Sequence, residues 1–426
     1  MKPSRIQILK EIDKRKDEII AWTKKLIEFP TENRPPCGFE GKAQQFLKNE
    51  CLKLGLDVDM FYPDEVEGIK SHPWWLAERN YSGYRKNTVA VWKGSSGGKS
   101  ILFSGHMDVA PAVKEKWTIT QPFKPLIKEG KLYGRGSADL KGGMAAAFWS
   151  IKILKEMGFS PSGDILLESV VDEEFAGGNG ALAARLKGYN ADLAVLVEPT
   201  RMELCTACMG AFLGDIRLSG TAGMPYMGFD IPNPIFGAAL VIDFFKQWGT
   251  SWAENNHHPL FRGEGKKLKI MLWDINSKIP GEFAQMGTPV STKLSWIVWC
   301  YPGTKEKVFK DNFSAYWEKI AEEQSLKPFK LEQRFTYHYI RPWETDSKNY
   351  AVKEAASAYR SQTGKLPQPS GAPFSCDMAI YGKIGNMPTI ILGPRGGNLH
   401  APDEWVMVKD IFSLTGIFMD LSSNWA

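Results

Sequence analysis

Glu173 and Glu174 stand side by side in the stretch "ILLESVVDEEFAGGNG", after a strongly apolar run and before a glycine-rich turn. Adjacent carboxylates repel, so such a pair is comfortable only in water or beside cations. The apolar lead-in and the glycines read as a strand end opening onto a loop, where sites are usually built. Taken alone, a Glu-Glu pair is a solvated surface feature. Four further segments supply matching groups: His106 and Asp108 in "SGHMDVAP", Asp139 in "YGRGSADLKGG", Glu198 in "VLVEPT" and His400 in "GGNLHAPDEWV". Two histidines and three or four carboxylates suit zinc or a similar divalent ion by ligand type. The charges favour two ions, because Asp139, Glu174 and Glu198 together bring three negatives that would otherwise repel one another. Each residue singly has a plainer reading, such as a helix N-cap for Asp139. Five such segments in one chain make a constellation.

The elements that must position these groups alternate between strand and helix. "NTVAVWKG" and "KSILFSGHMDV" read as strands, "DLKGGMAAAFWSIKILKEMG" as a helix, "GDILLESVV" and "ADLAVLVEP" as strands around the helix "GALAARLKG". That order predicts an α/β catalytic domain with helices on both faces of the sheet. In an open α/β sheet, residues beyond the carboxyl ends of the strands converge on one crevice. From about residue 210 the pattern changes to β-α-β-β-α-β, the order of a small two-layer, ferredoxin-like domain. The boundaries expected are residues 1–209 and 340–426 for the catalytic domain and 210–339 for the insertion.

Bulk properties narrow the function class. The 426 residues suffice for roughly two domains. The net charge of +5 is small for this length and the basic residues are scattered, so no nucleic-acid partner is expected. No run reaches the roughly 18 apolar residues of a membrane span, and the amino-terminal stretch lacks the apolar centre of a signal peptide, so a cytoplasmic location is expected. Six scattered cysteines do not make a disulfide scaffold, and the lone Cys205/Cys208 pair lacks the second pair of a zinc ribbon.

The motifs, in this order and spacing, resemble the dinuclear zinc superfamily of aminoacylases, acetylornithine deacetylases, succinyl-diaminopimelate desuccinylases and carboxypeptidase G. The likeness runs from "SGHMDVAP" to "HAPDEWV" and includes the insertion, and "PFKPLIKEGKLYGRGSADLKGGMAA" is especially close to the deacetylase branch. The resemblance implies two divalent ions, zinc first and cobalt or manganese as alternatives. It implies that Asp139 bridges them, that His106 and Glu198 complete one and that Glu174 and His400 complete the other. It implies that Asp108 orients the His106 imidazole and that Glu173 is the general base that activates the water bridging the metals. It also implies a homodimer formed through the inserted domain.

One segment departs from that pattern. Relatives carry a histidine soon after the first inserted strand, which stabilises the oxyanion in the partner's site; here "LSGTAGMPYMGF" has Gly223 and Met224 there. Trp299 stands near the position of a usual arginine. His257, His258 and Tyr226 are candidate replacement donors, and Arg395, five residues before His400, is a candidate anchor for an acidic substrate group. Fifteen tryptophans fit either an aromatic pocket or the core. The reading is a metal-dependent hydrolase that cleaves the C–N bond of a small N-acyl amino acid or short peptide. The alternative is a deaminase or deformylase acting on an aromatic or heterocyclic amine or formamide. A non-catalytic metal-binding protein is disfavoured because Glu173 is present.

Overall fold

The computed structural model describes residues 2–113, 116–175, 177–224, 230–279, 287–335 and 339–426. The chain divides into two compact units, Met1–Ala207 with Trp343–Ala372 and Cys376–Ala426, and Cys208–Pro342 with Pro373–Ser375.

The first unit is built on a nine-stranded mixed sheet. Its centre is a run of four parallel strands in the spatial order Thr389–Ile391, Leu193–Leu196, Ile101–His106 and Ile165–Val170. All four are buried along their whole length, as their predominantly apolar character requires of strands covered on both faces. Asn87–Trp92 and Asp57–Phe61 continue the sheet antiparallel on the Ile165–Val170 side. The helices Gly142–Glu156 and Asn179–Leu186 are the crossovers between parallel strands, and Gly142–Glu156 packs against the carboxyl-terminal helix Val408–Trp425. Phe103, Phe148, Ile417 and Phe418 belong to the apolar core beneath the sheet, and Trp22 stacks on Phe148 with ring centroids 4.5 Å apart.

A four-stranded sheet of very short strands was not foreseen. Lys131–Tyr133 pairs with Trp405–Met407, which pairs with Gly396–Gly397. This sheet ties the loop that carries Asp139 to the loop that carries His400. Strands of two or three residues show no readable alternation, so their pairing is invisible in the sequence.

The second unit follows the β-α-β-β-α-β order with Gly210–Ser219, Pro234–Asn255, Ile270–Lys278, Ser291–Cys300, Glu306–Ala321 and Lys330–Phe335. Its sheet is antiparallel throughout, with Ile270–Lys278 and Lys330–Phe335 at the two edges. Phe212, Phe245, Trp248, Trp296, Phe309 and Phe313 fill the space between sheet and helices. Several tryptophans are therefore core: Trp22, Trp149, Trp248 and Trp296 are all buried. Among the described residues, no helix is long and apolar enough to cross a membrane.

Candidate metal centre

The carboxyl ends of the four parallel strands deliver the candidate groups to one place. His106 is the last residue of Ile101–His106, Glu173 and Glu174 lie just beyond Ile165–Val170, and Glu198 lies two residues beyond Leu193–Leu196. Asp139 arrives on the loop that opens Gly142–Glu156, and His400 on the loop after Thr389–Ile391. Gly105 makes one approach possible, because a Cβ there would stand 2.4 Å from Leu140 Cδ1. Without that side chain the Asp139 loop can sit directly against the strand end bearing His106.

Asp139 lies between the two histidines. Its Oδ1 is 3.1 Å from His106 Nε2 and its Oδ2 is 3.2 Å from His400 Nε2. Glu198 stands 3.7 Å from His106 Nε2, and Glu174 2.9 Å from His400 Nε2. Two potential ion-binding groups result, His106–Asp139–Glu198 and Asp139–Glu174–His400, sharing Asp139; the atoms of each group lie within 4.8 Å of one another. Glu173 is 3.9 Å from His106 Nε2 and belongs to neither group.

Electrostatics show how poorly these groups tolerate one another without a cation. Burial and the charges of neighbouring acids push Glu198 up to about 7 and Glu173 well above the usual carboxylate range, with His106 opposing in both cases. Burial disfavours charge on His106, yet Glu198, Asp139 and Glu173 outweigh it and raise its pKa. His400 is raised to about 11, chiefly by Glu174. Asp139 resists burial and is lowered by hydrogen bonds from both imidazoles. Imidazole nitrogens and carboxylate oxygens in two clusters, with acids holding protons that a cation would displace, fit a pair of divalent ions.

Asp108 meets His106 through its main chain. The His106 Nδ1 bonds to the backbone carbonyl of Asp108 at 2.8 Å, while the nearest carboxylate oxygen is 3.8 Å away. The main chain thus fixes the tautomer that leaves Nε2 free for a metal. The Asp108 carboxylate instead accepts the backbone N–H of Glu174 at 3.0 Å and of Glu173 at 3.4 Å, together with the Asn33 amide at 2.7 Å. It therefore holds the loop of the paired glutamates.

Two buried acids without a sequence assignment do similar work. Glu404 accepts the N–H groups of Gly136, Ala138 and Asp139 and the Arg135 guanidinium, pinning the Asp139 loop. Asp172, in the left-handed region at φ 69°, accepts Arg79, Arg85 and Tyr81 just ahead of Glu173. Both stand inside quoted motifs, but only burial distinguishes them from solvated acids.

Arg395 is ion-paired within its own unit. Asp410, on the carboxyl-terminal helix, takes its Nε at 2.7 Å and its Nη2 at 2.5 Å. The Nε–Nη2 edge of its guanidinium fork is therefore occupied. His257 and His258 lie in the second unit after Pro234–Asn255, where they border a cavity of about 510 Å³ with Glu264, Lys267 and Tyr301. His258 Nδ1 accepts the Leu260 N–H at 3.3 Å. Met224 is exposed, Gly223 bridges Thr288, and Tyr226 lies outside the described residues.

Comparison with known proteins places this geometry in context. The sequence profile of peptidase family M20/M25/M40 matches residues 102–424. N-formyl-4-amino-5-aminomethyl-2-methylpyrimidine deformylase of Halalkalibacterium halodurans is 34% identical over 202 residues, 46% of this chain but only 42% of the deformylase. Succinyl-diaminopimelate desuccinylase of Nitrosospira multiformis is 27% identical over 90% of this chain and 93% of the relative. The crystal structure of human carnosine dipeptidase 1 superposes with a TM-score of 0.78 at 13% identity, covering 100% of this chain and 99% of the dipeptidase. That structural likeness speaks for the fold.

Proposed function

The chain belongs to peptidase family M20/M25/M40, and from that premise we propose that it is a dinuclear metal-dependent hydrolase cleaving the C–N bond of a small amide. The observation that carries the proposal is Asp139, with one oxygen turned to His106 and the other to His400. His106, Glu198 and Asp139 would hold one ion, and Asp139, Glu174 and His400 the other, with zinc the first choice and cobalt or manganese alternatives. When bound, the ions supply Lewis acidity, polarising the scissile carbonyl and acidifying water.

The chain's own residues supply the proton work. Glu173 is buried beside the ligands yet is not one of them, and the raised pKa that burial gives it makes its carboxylate form a stronger base. It accepts a proton from the attacking water and returns it to the leaving nitrogen, so one C–N bond breaks, one C–O bond forms, and acid and amine leave. Asp108 keeps Glu173 and Glu174 in register by holding their backbone N–H groups. An oxyanion donor from the second unit, His257, His258 or Tyr226, would replace the histidine absent at Gly223 and Met224.

The first substrate class is an N-acyl amino acid or short peptide. One observation bears on the formamide or amino-heterocycle reading beside it: Arg395 is already ion-paired with Asp410, so part of its charge is spent before any acidic group arrives. Assaying N-acetyl amino acids, dipeptides and N-formyl amines with zinc, cobalt or manganese added back tests the function. Turnover of at least one class that depends on metal supports it, and no turnover of any class refutes it.

A homodimer through the second unit is part of the proposal. The edge strand Ile270–Lys278 leaves Met271, Trp273 and Ile275 about half exposed, and an unpaired edge with apolar side chains invites pairing. Light scattering at micromolar concentration is expected to give a dimer; a strict monomer would overturn this element.

A further inference from the structure

A cavity of about 1160 Å³ lies wholly within the first unit, and none of the candidate metal ligands lines it. Its wall combines the segment from Phe29 to Phe39, the start of the helix Gly41–Lys53, the turn around Tyr84, and Met60 of the edge strand Asp57–Phe61. Glycines let these pieces close on one another. A Cβ on Gly38 would stand 2.7 Å from the Arg85 guanidinium, and one on Gly41 would stand 2.9 Å from the Gly83 carbonyl. Between the pieces the fully buried Arg85 grips Glu40 with two hydrogen bonds of 2.8 Å. The cavity is thus built into the backbone, and it has room for a small organic ligand.

The groups around it are those of a binding surface. Phe39 and Tyr84 are 57% and 72% exposed. Tyr84 also stands in the left-handed region at φ 67°, a conformation costly for a bulky side chain. Two rings kept in water at the rim of one cavity are ready stacking surfaces. The charges there are of one sign. Arg34 and Glu32 cancel, joined at 2.8 Å, and the other Glu32 oxygen accepts the Ala112 N–H at 2.9 Å. Lys42, Lys48 and Lys86 remain, and among the described residues none of the three has an acid partner. Lys48 and Lys86 are partly buried, with the Lys86 ammonium 4.5 Å from the Tyr62 ring centroid. Ammonium groups held this way, without acids to satisfy them, attract anionic oxygens.

We propose that this cavity is a second ligand site, which takes a planar aromatic compound carrying two negative charges, as a phosphate ester or as a pair of carboxylates. The ring lies against Phe39 and Tyr84, and the anionic oxygens reach Lys42, Lys48 and Lys86. Binding there requires no turnover, so the site stands apart from the hydrolase reading.

The test is calorimetry on the full chain with zinc present. Adenosine monophosphate probes the phosphate form and terephthalate the dicarboxylate form. Adenosine and benzoate lack the charges, while inorganic phosphate and succinate lack the ring. At least one of the two dianions is expected to bind about tenfold or more tighter than its two matched controls. The double variant Lys42→Ala, Lys48→Ala is expected to weaken that binding about tenfold, as loss of two partly exposed ion pairs does. Tyr84→Gly, which suits φ 67° and removes the ring, is expected to weaken it about fivefold. These side chains are exposed or partly exposed, so an unchanged melting temperature shows that the variants fold. Binding of adenosine monophosphate alone makes the ligand a phosphate ester, and binding of terephthalate alone makes it an organic acid. Failure of both dianions to bind overturns the proposal. So does an affinity that the lysine and Tyr84 variants leave unchanged, which would place the anion on the metal ions instead.

Discussion

The two halves of the candidate centre use the same ligand types in different settings. On one side His106 is 1% exposed, its ring anchored through Nδ1 to the Asp108 carbonyl and faced by Asp139 and Glu198. On the other side the His400 side chain is 55% exposed, on a residue in the left-handed region at φ 58°. Identical donors therefore build one ion position that is buried and preorganised and another that opens to solvent. Burial strengthens electrostatic attraction and slows exchange, whereas exposure admits water, chelator and substrate.

The largest expected effect separates the adjacent glutamates. Glu173→Gln is expected to lower kcat by roughly 10²–10⁴ with metal content retained, as loss of a general acid–base group does. Glu174→Gln is expected to weaken metal binding on the His400 side. Kinetics combined with elemental analysis of both variants would reverse the assignment if the phenotypes were exchanged.

Chelation should distinguish the halves next. Dialysis against a chelator is expected to remove one ion first, and His400→Ala to leave about one ion per chain, whereas His106→Ala loses the buried ion and leaves only the exposed position, which exchanges readily. Equal loss from the two histidine variants would show that the halves do not differ.

A smaller effect concerns pH in the metal-free protein. Glu198 rises from 4.5 to about 7 and Asp377 from 3.8 to about 8, burial being the main cause in each. An acid whose pKa is raised by folding stabilises the folded state fully below its unfolded pKa and loses that contribution as pH rises through its folded value. The melting temperature of metal-free protein should therefore fall between about pH 4 and 8, and bound metal should flatten the decline. A melting temperature that rises across that window would contradict the crowding of acids.

The smallest effect is expected at Arg395. Arg395→Ala should leave KM within about twofold for acidic and neutral substrates, and cost stability by about 0–1 kcal/mol, the typical worth of a partly exposed ion pair. A large rise in KM confined to acidic substrates would restore Arg395 as an anchor.

The convergence of the candidate ligand residues was legible because each follows a strand or opens a helix, and strand ends in an α/β sheet converge whatever the loops do. The β-α-β-β-α-β order was legible for the same reason, since its elements are long and periodic. Glu404, Asp172 and Asp377 were not, because an acidic residue in a loop looks the same in sequence whether solvated or buried. The ion pair of Arg395 was not legible either, because its partner, Asp410, belongs to a helix fifteen residues later whose docking sequence alone does not reveal. Asp108 was legible as the partner of His106, but not that it bonds the ring through its main-chain carbonyl while its carboxylate holds the Glu173–Glu174 backbone.

The central claim is that Asp139 joins two ion positions, and metal titration of the full chain tests it most directly. Metal-free protein titrated with zinc and followed by elemental analysis should take up two ions per chain, and Asp139→Asn should lower that number together with activity. Full activity with one ion or none, or an Asp139→Asn variant that still holds two ions and hydrolyses amides at the wild-type rate, would contradict the account.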